Sequence, residues 1–470
     1  MGIIRDALLG FLSRLATTPF SLLFAFLIAA SLSHQSIEAF GEWQTYYVIF
    51  SSFLTIPADT LSIISVRYTA EGKPMGGVII LQLLFATIST ILALFLGMNT
   101  VIPMIISYYI LRTVLAITQG TKPLLVNLSN IMFQIGRLVS AVILLYIYNL
   151  SILAPSLAYS IGYILQILFV LKNIKGNLKI DFKIAIKTLK NSIVIIFERL
   201  QYIIEGTIVL FLLFIGGFYL VAFYEAAIVV SSVATLSGAA NVGVIKSAIT
   251  NKDNRFYDLI KLIIGIIGIV TLGVITGATF LIHLIREVYS IITPAVYLLT
   301  ISTSFRVFYA TLYNYLIAID EKLSIEKSDP FKSVTGRILR KNMFFSATAT
   351  LTTMIIILTF KLQNNILYTI IVASVPLLIT SFFMIISVYS ALRDKYNFKL
   401  PRSECYIVTL TTSLLSIIFT MFFNTPSILP PLISVSIYLI ILYIFNQFYK
   451  SLLNNMFKRA LLILKNILKI

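Results

Sequence analysis

Arginines at positions 14, 112, 137 and 306 stand inside stretches otherwise built from Leu, Ile, Val, Phe and Ala. A guanidinium is a planar fork of N–H donors that matches two oxygens of a phosphate or a carboxylate. Near a bilayer centre it costs about 2.5–3.5 kcal/mol on insertion scales, so it turns to a protein interior or a wet cavity and meets an anion there. Acids lie in the same kind of stretch, at Asp59, Glu198, Glu205 and Glu225, and Arg199 adds a base nearer the membrane surface. Two arrangements are therefore open. Either Arg112, Arg137, Arg306 and Arg14 line a cavity for an anionic cargo, or they neutralise the acids inside a packed bundle. Glu205 and Asp59 are candidates for carrying a proton or cation through a transport cycle, with a salt bridge to an arginine as the competing role.

The elements that hold these residues follow from composition. Of 470 residues, 59% are hydrophobic and 11% charged, and the mean hydropathy is +0.98. That balance defines an all-α polytopic membrane protein. Spans of about 20 apolar residues are expected near 10–33, 43–65, 75–96, 101–120, 124–148, 152–171, 193–215, 218–243, 260–282, 290–318, 342–360, 365–390, 404–423 and 428–448, about fourteen in all. Strand-length alternation is missing, which argues against a barrel. With the N-terminus inside, the loops assigned to the outer side carry only Arg286 and Lys361, while the lysine and arginine runs fall inside. The positive-inside rule then puts both termini in the cytoplasm of a cell-membrane protein. The net charge of +18 reads as this bias plus attraction to anionic lipid headgroups, not as nucleic-acid binding.

The first polar interruption divides the chain. Residues 1–171 form a first lobe of six spans and 193–390 a second. Between them, 172–192 carries lysines at 175, 179, 183 and 187, with Phe182, Ile186 and Leu189 on another side, the pattern of an amphipathic helix on the inner leaflet. Six helices per lobe imply a parallel pseudo-repeat, in which Arg112 of the fourth span and Arg306 of the tenth are counterparts, both expected in the cytoplasmic half of the helix. Residues 391–448 add two further spans, and 449–470 a cytoplasmic amphipathic tail. Pro19, Pro57, Pro155, Pro294, Pro376, Pro430 and Pro431 mark expected kinks, Pro19 being the candidate hinge.

Catalytic machinery is not legible. The sequence has no Walker A run, no Gly-x-Ser-x-Gly, no His/Cys metal cluster and no Asp-x-Asp in its short outer loops. Neither an enzyme nor a cofactor is expected. His34, His283 and the single cysteine, Cys405, read as interfacial or packing residues.

Phe40-Gly41-Glu42-Trp43, the run Val66-Arg67-Tyr68-Thr69-Ala70-Glu71-Gly72-Lys73, the linker after six helices and the two extra C-terminal helices together resemble the multidrug/oligosaccharidyl-lipid/polysaccharide exporter superfamily, and within it the oligosaccharide repeat-unit flippases. The resemblance implies two six-helix lobes around a cation-lined cavity that opens alternately to each side. It also implies a cargo of polyprenyl-phosphate or -pyrophosphate oligosaccharide, a first helix that bends during the cycle, and a monomer as the working unit. Arg112, Arg137, Arg306 and Arg14 are of suitable type for the phosphate, on the physical argument above. A multidrug or metabolite antiporter on the same fold is the alternative; a drug-cation exporter should show an acidic excess where these spans show a slight basic one.

Overall fold

The computed structural model describes residues 37–171, 179–241, 255–323, 330–423 and 425–455, together with short runs between 17 and 32 and residues 244, 245 and 248. Among these the chain is helical throughout, with no strand. The helices are α1 (Ile37–Ile49), α2 (Ile56–Ala70), α3 (Gly76–Phe95), α4 (Ile102–Thr121), α5 (Pro123–Val142), α6 (Leu153–Val170), α7 (Phe182–Ser231), α8 (Arg255–Thr276), α9 (Ala278–Ile285), α10 (Thr293–Ile319), α11 (Val334–Thr359), α12 (Ile366–Tyr396), α13 (Arg402–Phe422) and α14 (Leu429–Phe445). Ten helices among the described residues are long and apolar enough to cross a membrane, or up to twelve when two bent pairs each count as one span. This is a polytopic membrane fold. The expected first span falls mostly outside the described residues, Arg14 with it, and so does the tail beyond 455.

The helices begin where local chemistry satisfies their first N–H groups. Asp181 accepts from Ile184 N at 3.1 Å, Ser333 from Gly336 N at 2.9 Å, and Asn365 from Tyr368 N at 3.2 Å. Pro57, Pro294 and Pro430 sit in the first turn of α2, α10 and α14. There the missing N–H costs nothing, so these prolines start helices, Pro57 doing so directly after a 48° bend. Pro376 alone among the described prolines stands inside a long helix.

The breaks come from other causes. Residues Phe50–Leu54 form a π-helical turn, and the chain bends by 48° between Glu42–Leu54 and Ile56–Ala70. The bend sets Asp59 in the first turn of α2. A straight α7 of 50 residues would be about 75 Å long, more than twice the hydrocarbon thickness. It is interrupted at Gly217, whose φ of 65° and ψ of −166° belong to a region open in practice only to glycine. The amphipathic stretch before α7 is not a separate surface helix from Phe182 onward. It runs directly into α7, with Ala185, Thr188, Asn191 and Ser192 buried and Gly76 N donating to Lys179 O at 3.1 Å; residues 172–178 lie outside the described residues.

Side chains are sorted as lipid requires. Leu83, Leu84, Phe95, Ile417, Ile418 and Phe422 are exposed on the outside, while Ser65, Ser89, Thr118, Thr300 and Ser374 are buried. Small hydroxyl residues let helices approach, and they return their protons to the preceding turn, as Thr118 does to Val114 O at 2.8 Å. At Gly120 the approach of α4 to α2 is so close that a Cβ would stand 2.6 Å from Thr69 Cβ and 2.8 Å from Val66 O. One buried cluster draws on residues from Phe24 to Tyr163, a second on Ile208 to Ala373, and a third joins both regions. The last helices dock on α8 through Lys261 and Glu404 at 3.1 Å and Tyr449 OH donating to Lys261 O at 2.7 Å.

At the end of the bundle bearing Lys73 and Lys322, two polar side chains tie early helices to late ones. Arg67 on α2 donates to the carbonyls of Ile317 and Asp320, the latter at 2.9 Å. These carbonyls lie at the C-terminus of α10, where a cation is favoured by the helix dipole; that of Asp320 also accepts from Leu323 N at 3.0 Å. Asn191 on α7 donates to Tyr68 OH and, at 3.1 Å, to Leu323 O.

Candidate functional site

Helical spacing gathers the polar residues on common faces. Tyr108, Arg112 and Gln119 recur at four and seven residues on α4, Asn127, Asn130 and Arg137 at three and seven on α5, and Ser302, Arg306 and Ala310 at four on α10. Arg112 stands ten residues from the start of α4 and nine from its end, and Arg306 thirteen from either end of α10. Both are thus at mid-helix, deeper than the cytoplasmic half expected from sequence.

These faces enclose a cavity of about 750 Å³, lined by Arg112 and Arg306 together with neutral groups that include Gln119, Asn127, Asn130, Ser302 and Asn314. The two arginines, placed far apart in sequence, share one space. Each also rests on a carboxylate. Arg112 Nε lies 2.6 Å from Asp59 Oδ1 and its Nη2 donates to Ser62 Oγ at 3.1 Å. Arg199 approaches the other Asp59 oxygen at 3.3 Å, and Tyr108 OH donates to Asp59 Oδ1 at 2.8 Å. Arg306 Nη2 donates to Glu205 Oε2 and its Nε to Ser381 Oγ at 3.0 Å. Glu205 accepts further from Gln201 Nε2 at 3.1 Å and Ser346 Oγ at 2.9 Å.

Burial gives the pairs a direction. The arginine side chains keep 29% and 22% of their surface exposed, against 6% for Asp59 and 3% for Glu205. The carboxylates lie behind and the guanidiniums in front. The choice between lining and pairing left open by the sequence therefore resolves into both at once. Three arginines, Arg112, Arg199 and Arg306, stand against two carboxylates, Asp59 and Glu205, a formal surplus of one positive charge in the group.

Arg137 is placed differently. It lines a second cavity of about 600 Å³, is 6% exposed, and meets no carboxylate among the described residues. Its Nη2 donates to Ser21 Oγ at 3.0 Å and Gln134 Oε1 at 2.6 Å. Its guanidinium lies 4.1 Å from the ring centre of Phe24 and 4.9 Å from those of Phe133 and Tyr159, a cation held by π-faces. Glu225 lines the same cavity.

Arg199, Tyr108, Ser346 and Ser381 were not among the residues singled out from sequence as site candidates. Only the Gln201/Glu205 and Ser302/Arg306 spacings of four carried a signal for their surroundings. Ser346 and Ser381 look like any other helical serine until α11 and α12 are packed against α7 and α10.

Comparison with solved structures defines the class of fold. The chain superposes on a mutant of the Vibrio cholerae MATE transporter VcmN with a TM-score of 0.61 at 13% identity, over 84% of this chain and 98% of that one. It superposes on the lipid II flippase MurJ, in an inward closed conformation, with a TM-score of 0.56 at 15% identity, over 96% of this chain and all of the other. An outward-facing multidrug resistance MATE family transporter of the MOP superfamily gives 0.53 at 12% identity, over 83% and 96%. No family model matches the sequence and no curated protein does. The fold is that of the multidrug/oligosaccharidyl-lipid/polysaccharide exporters, as the sequence resemblance led us to expect.

Proposed function

We propose that this chain is a carrier that moves a lipid-linked oligosaccharide from the inner to the outer leaflet of the cell membrane by alternating access, with both termini cytoplasmic and a lobe of six helices on either side of the path. The observation that carries this reading is the shared cavity of Arg112 and Arg306, whose polar lining groups are guanidiniums, amides and hydroxyls set among apolar side chains such as Leu115, Val126 and Leu299, with the carboxylates withdrawn. Guanidiniums suit the phosphate or pyrophosphate of a polyprenyl carrier, amides and hydroxyls suit sugar hydroxyls, and the lipid tail can remain in the bilayer. Like MurJ in fold over nearly the whole chain, the protein has the length for such a task.

A second reading, a multidrug or metabolite antiporter, is favoured by one observation: Glu225 lines the neighbouring cavity without an ion pair to an arginine or lysine among the described residues, as a site for a cationic cargo requires. Proteoliposomes containing the purified protein separate the two. Translocation of a short-chain polyprenyl-diphosphate sugar that is lost in Arg112→Gln and Arg306→Gln supports the flippase. Exchange of a cationic dye for protons or sodium, with no movement of the lipid-linked sugar, overturns it.

A further inference from the structure

Three details of the second cavity have no role in the phosphate site. Arg137 is held there without an acid, its Nε making no hydrogen bond among the described residues, and a guanidinium has five N–H groups to satisfy. Glu225, from the far part of α7, faces the same space. The wall beside Arg137 is aromatic: the rings of Tyr47 and Tyr159 stack at 5.5 Å and an interplanar angle of 28°, and Trp43 stacks on Tyr159 at 6.2 Å and 29°. Tyr47 and Tyr159 are only partly buried, so part of that platform faces the cavity.

These are complementary demands on one kind of ligand. A sugar hydroxyl both donates and accepts, and it finds here an acceptor in Glu225 and a donor in Arg137. The C–H face of a pyranose ring finds the tyrosine platform. Arg286 is also part of the wall, so groups of both signs stand around one space with no ion pair to Glu225 among the described residues. A simple anion or cation gains from one sign and is repelled by the other, whereas a neutral polyol gains from both. The volume of about 600 Å³ falls within the range of roughly 300–1,000 Å³ typical of small-ligand sites. Ile228 and Ser232 line both this cavity and the arginine cavity, so the two are neighbours across the end of α7.

We infer that the Arg137–Glu225 cavity is a subsite for a neutral pyranose ring, adjoining the phosphate site, so that the headgroup of one cargo is divided between them. The inference rests on the flippase reading and deepens it: the sugar is read by an aromatic face and a donor–acceptor pair, the phosphate by Arg112 and Arg306.

The chain's single tryptophan, Trp43, lines this cavity and reports on it directly. Full-length protein in detergent is titrated with glucose, galactose and N-acetylglucosamine while tryptophan emission is followed, with the acyclic polyol mannitol as control. In a separate arm, sugar-free short-chain polyprenyl diphosphate is the ligand and binding is followed by calorimetry. A saturable emission change with at least one pyranose and none with mannitol is expected. The half-saturation should rise about fivefold in Tyr159→Leu and in Glu225→Ala, and stay within about twofold in Arg112→Gln. Glu225→Ala strands no charged partner, so it folds as the parent does. Absence of any sugar response, or an equal response to mannitol, overturns the subsite even when the diphosphate arm succeeds. A sugar response lost in Glu225→Ala and restored by the exchange Arg137→Glu/Glu225→Arg also overturns it, because the pair would then be a closing ion pair. Failure of the diphosphate arm alone strikes the flippase reading and not the pyranose site.

Discussion

Arg306 crosses from the middle of α10 to Glu205 on α7 and keeps its outer edge in the cavity, while the carboxylate it holds is almost fully enclosed by Gln201, Ser346 and the arginine itself. On the proposed function, stability and binding are joined in one side chain, and the two can be separated by choosing which partner to remove.

Arg306→Gln leaves the buried Glu205 without its cationic partner. Removing one partner of a buried pair costs about 3–5 kcal/mol, so the variant should melt well below the parent in detergent. Adding Glu205→Gln should recover most of the stability while leaving lipid-linked sugar transport impaired. If the double variant also transports normally, Arg306 is a packing residue and takes no part in cargo binding.

Arg112→Gln should be milder. Asp59 retains Arg199 at 3.3 Å and the hydroxyl of Tyr108 at 2.8 Å, so its carboxylate is not abandoned. The expected loss is about 1.5–3 kcal/mol, the size of a charged hydrogen bond, and the order of melting points should be parent, Arg112→Gln, Arg306→Gln. Equal losses for the two variants would contradict the shared-acid geometry around Asp59.

At Gly120 a methyl group has nowhere to go, with Thr69 Cβ at 2.6 Å and the Val66 carbonyl at 2.8 Å. Gly120→Ala should cost about 1–3 kcal/mol by overpacking. Gly273→Ala, whose nearest neighbour is Val435 Cγ2 at 3.6 Å, should be neutral or stabilising by up to about 1 kcal/mol through helix propensity. Thermal denaturation followed by circular dichroism compares them.

Arg67 closes the end of the bundle where α2 meets the last turn of α10. Arg67→Ala leaves the Ile317 and Asp320 carbonyls without that donor, so the junction should open more often. A cysteine introduced at the buried Ala318, in a Cys405→Ser background, should then react faster with a maleimide than it does with Arg67 in place. An unchanged rate would mean that Asn191 and neighbouring packing hold the junction without it.

Membrane orientation has a direct check. In whole cells of the same Cys405→Ser background, Asn364→Cys should react with an impermeant thiol reagent and Asn397→Cys should not; both positions are exposed at opposite ends of α12. Reaction at 397 alone would invert the topology.

The helices were legible because a membrane span is a local property: twenty apolar residues announce themselves without knowledge of their neighbours. Three of the four arginines singled out for their cost in hydrocarbon lie where that cost predicts, against a cavity, and Arg14 falls outside the described residues. Their partners were not legible. Asp59 and Arg112 are separated by 53 positions and Glu205 and Arg306 by 101, and five bases among four acids allow many pairings on paper. The break at Gly217 was legible as the gap between the spans expected at 193–215 and 218–243, but its form was not. An apolar sequence with a Gly-Gly step reads as two spans with a gap between them, and gives no sign that one residue of positive φ suffices to join them. The prolines misled in the opposite sense, since kinking and helix-starting prolines look alike until the preceding residue's conformation is known.

Asp59 and Glu205 hold Arg112 and Arg306, so on the proposed function a phosphate reaching the cavity would share a guanidinium already engaged. That competition would cap affinity, shorten the residence time of such a cargo and favour turnover over capture. The same acids limit what a membrane voltage can do to the unloaded protein. Were the site to reorient as proposed, three guanidiniums against two carboxylates would leave one charge to be carried, and moving one charge through the full field corresponds to about 2.3 kcal/mol per 100 mV. Without those acids, three charges would feel the field together, and the return step of the proposed cycle would be held to the pace set by the resting potential.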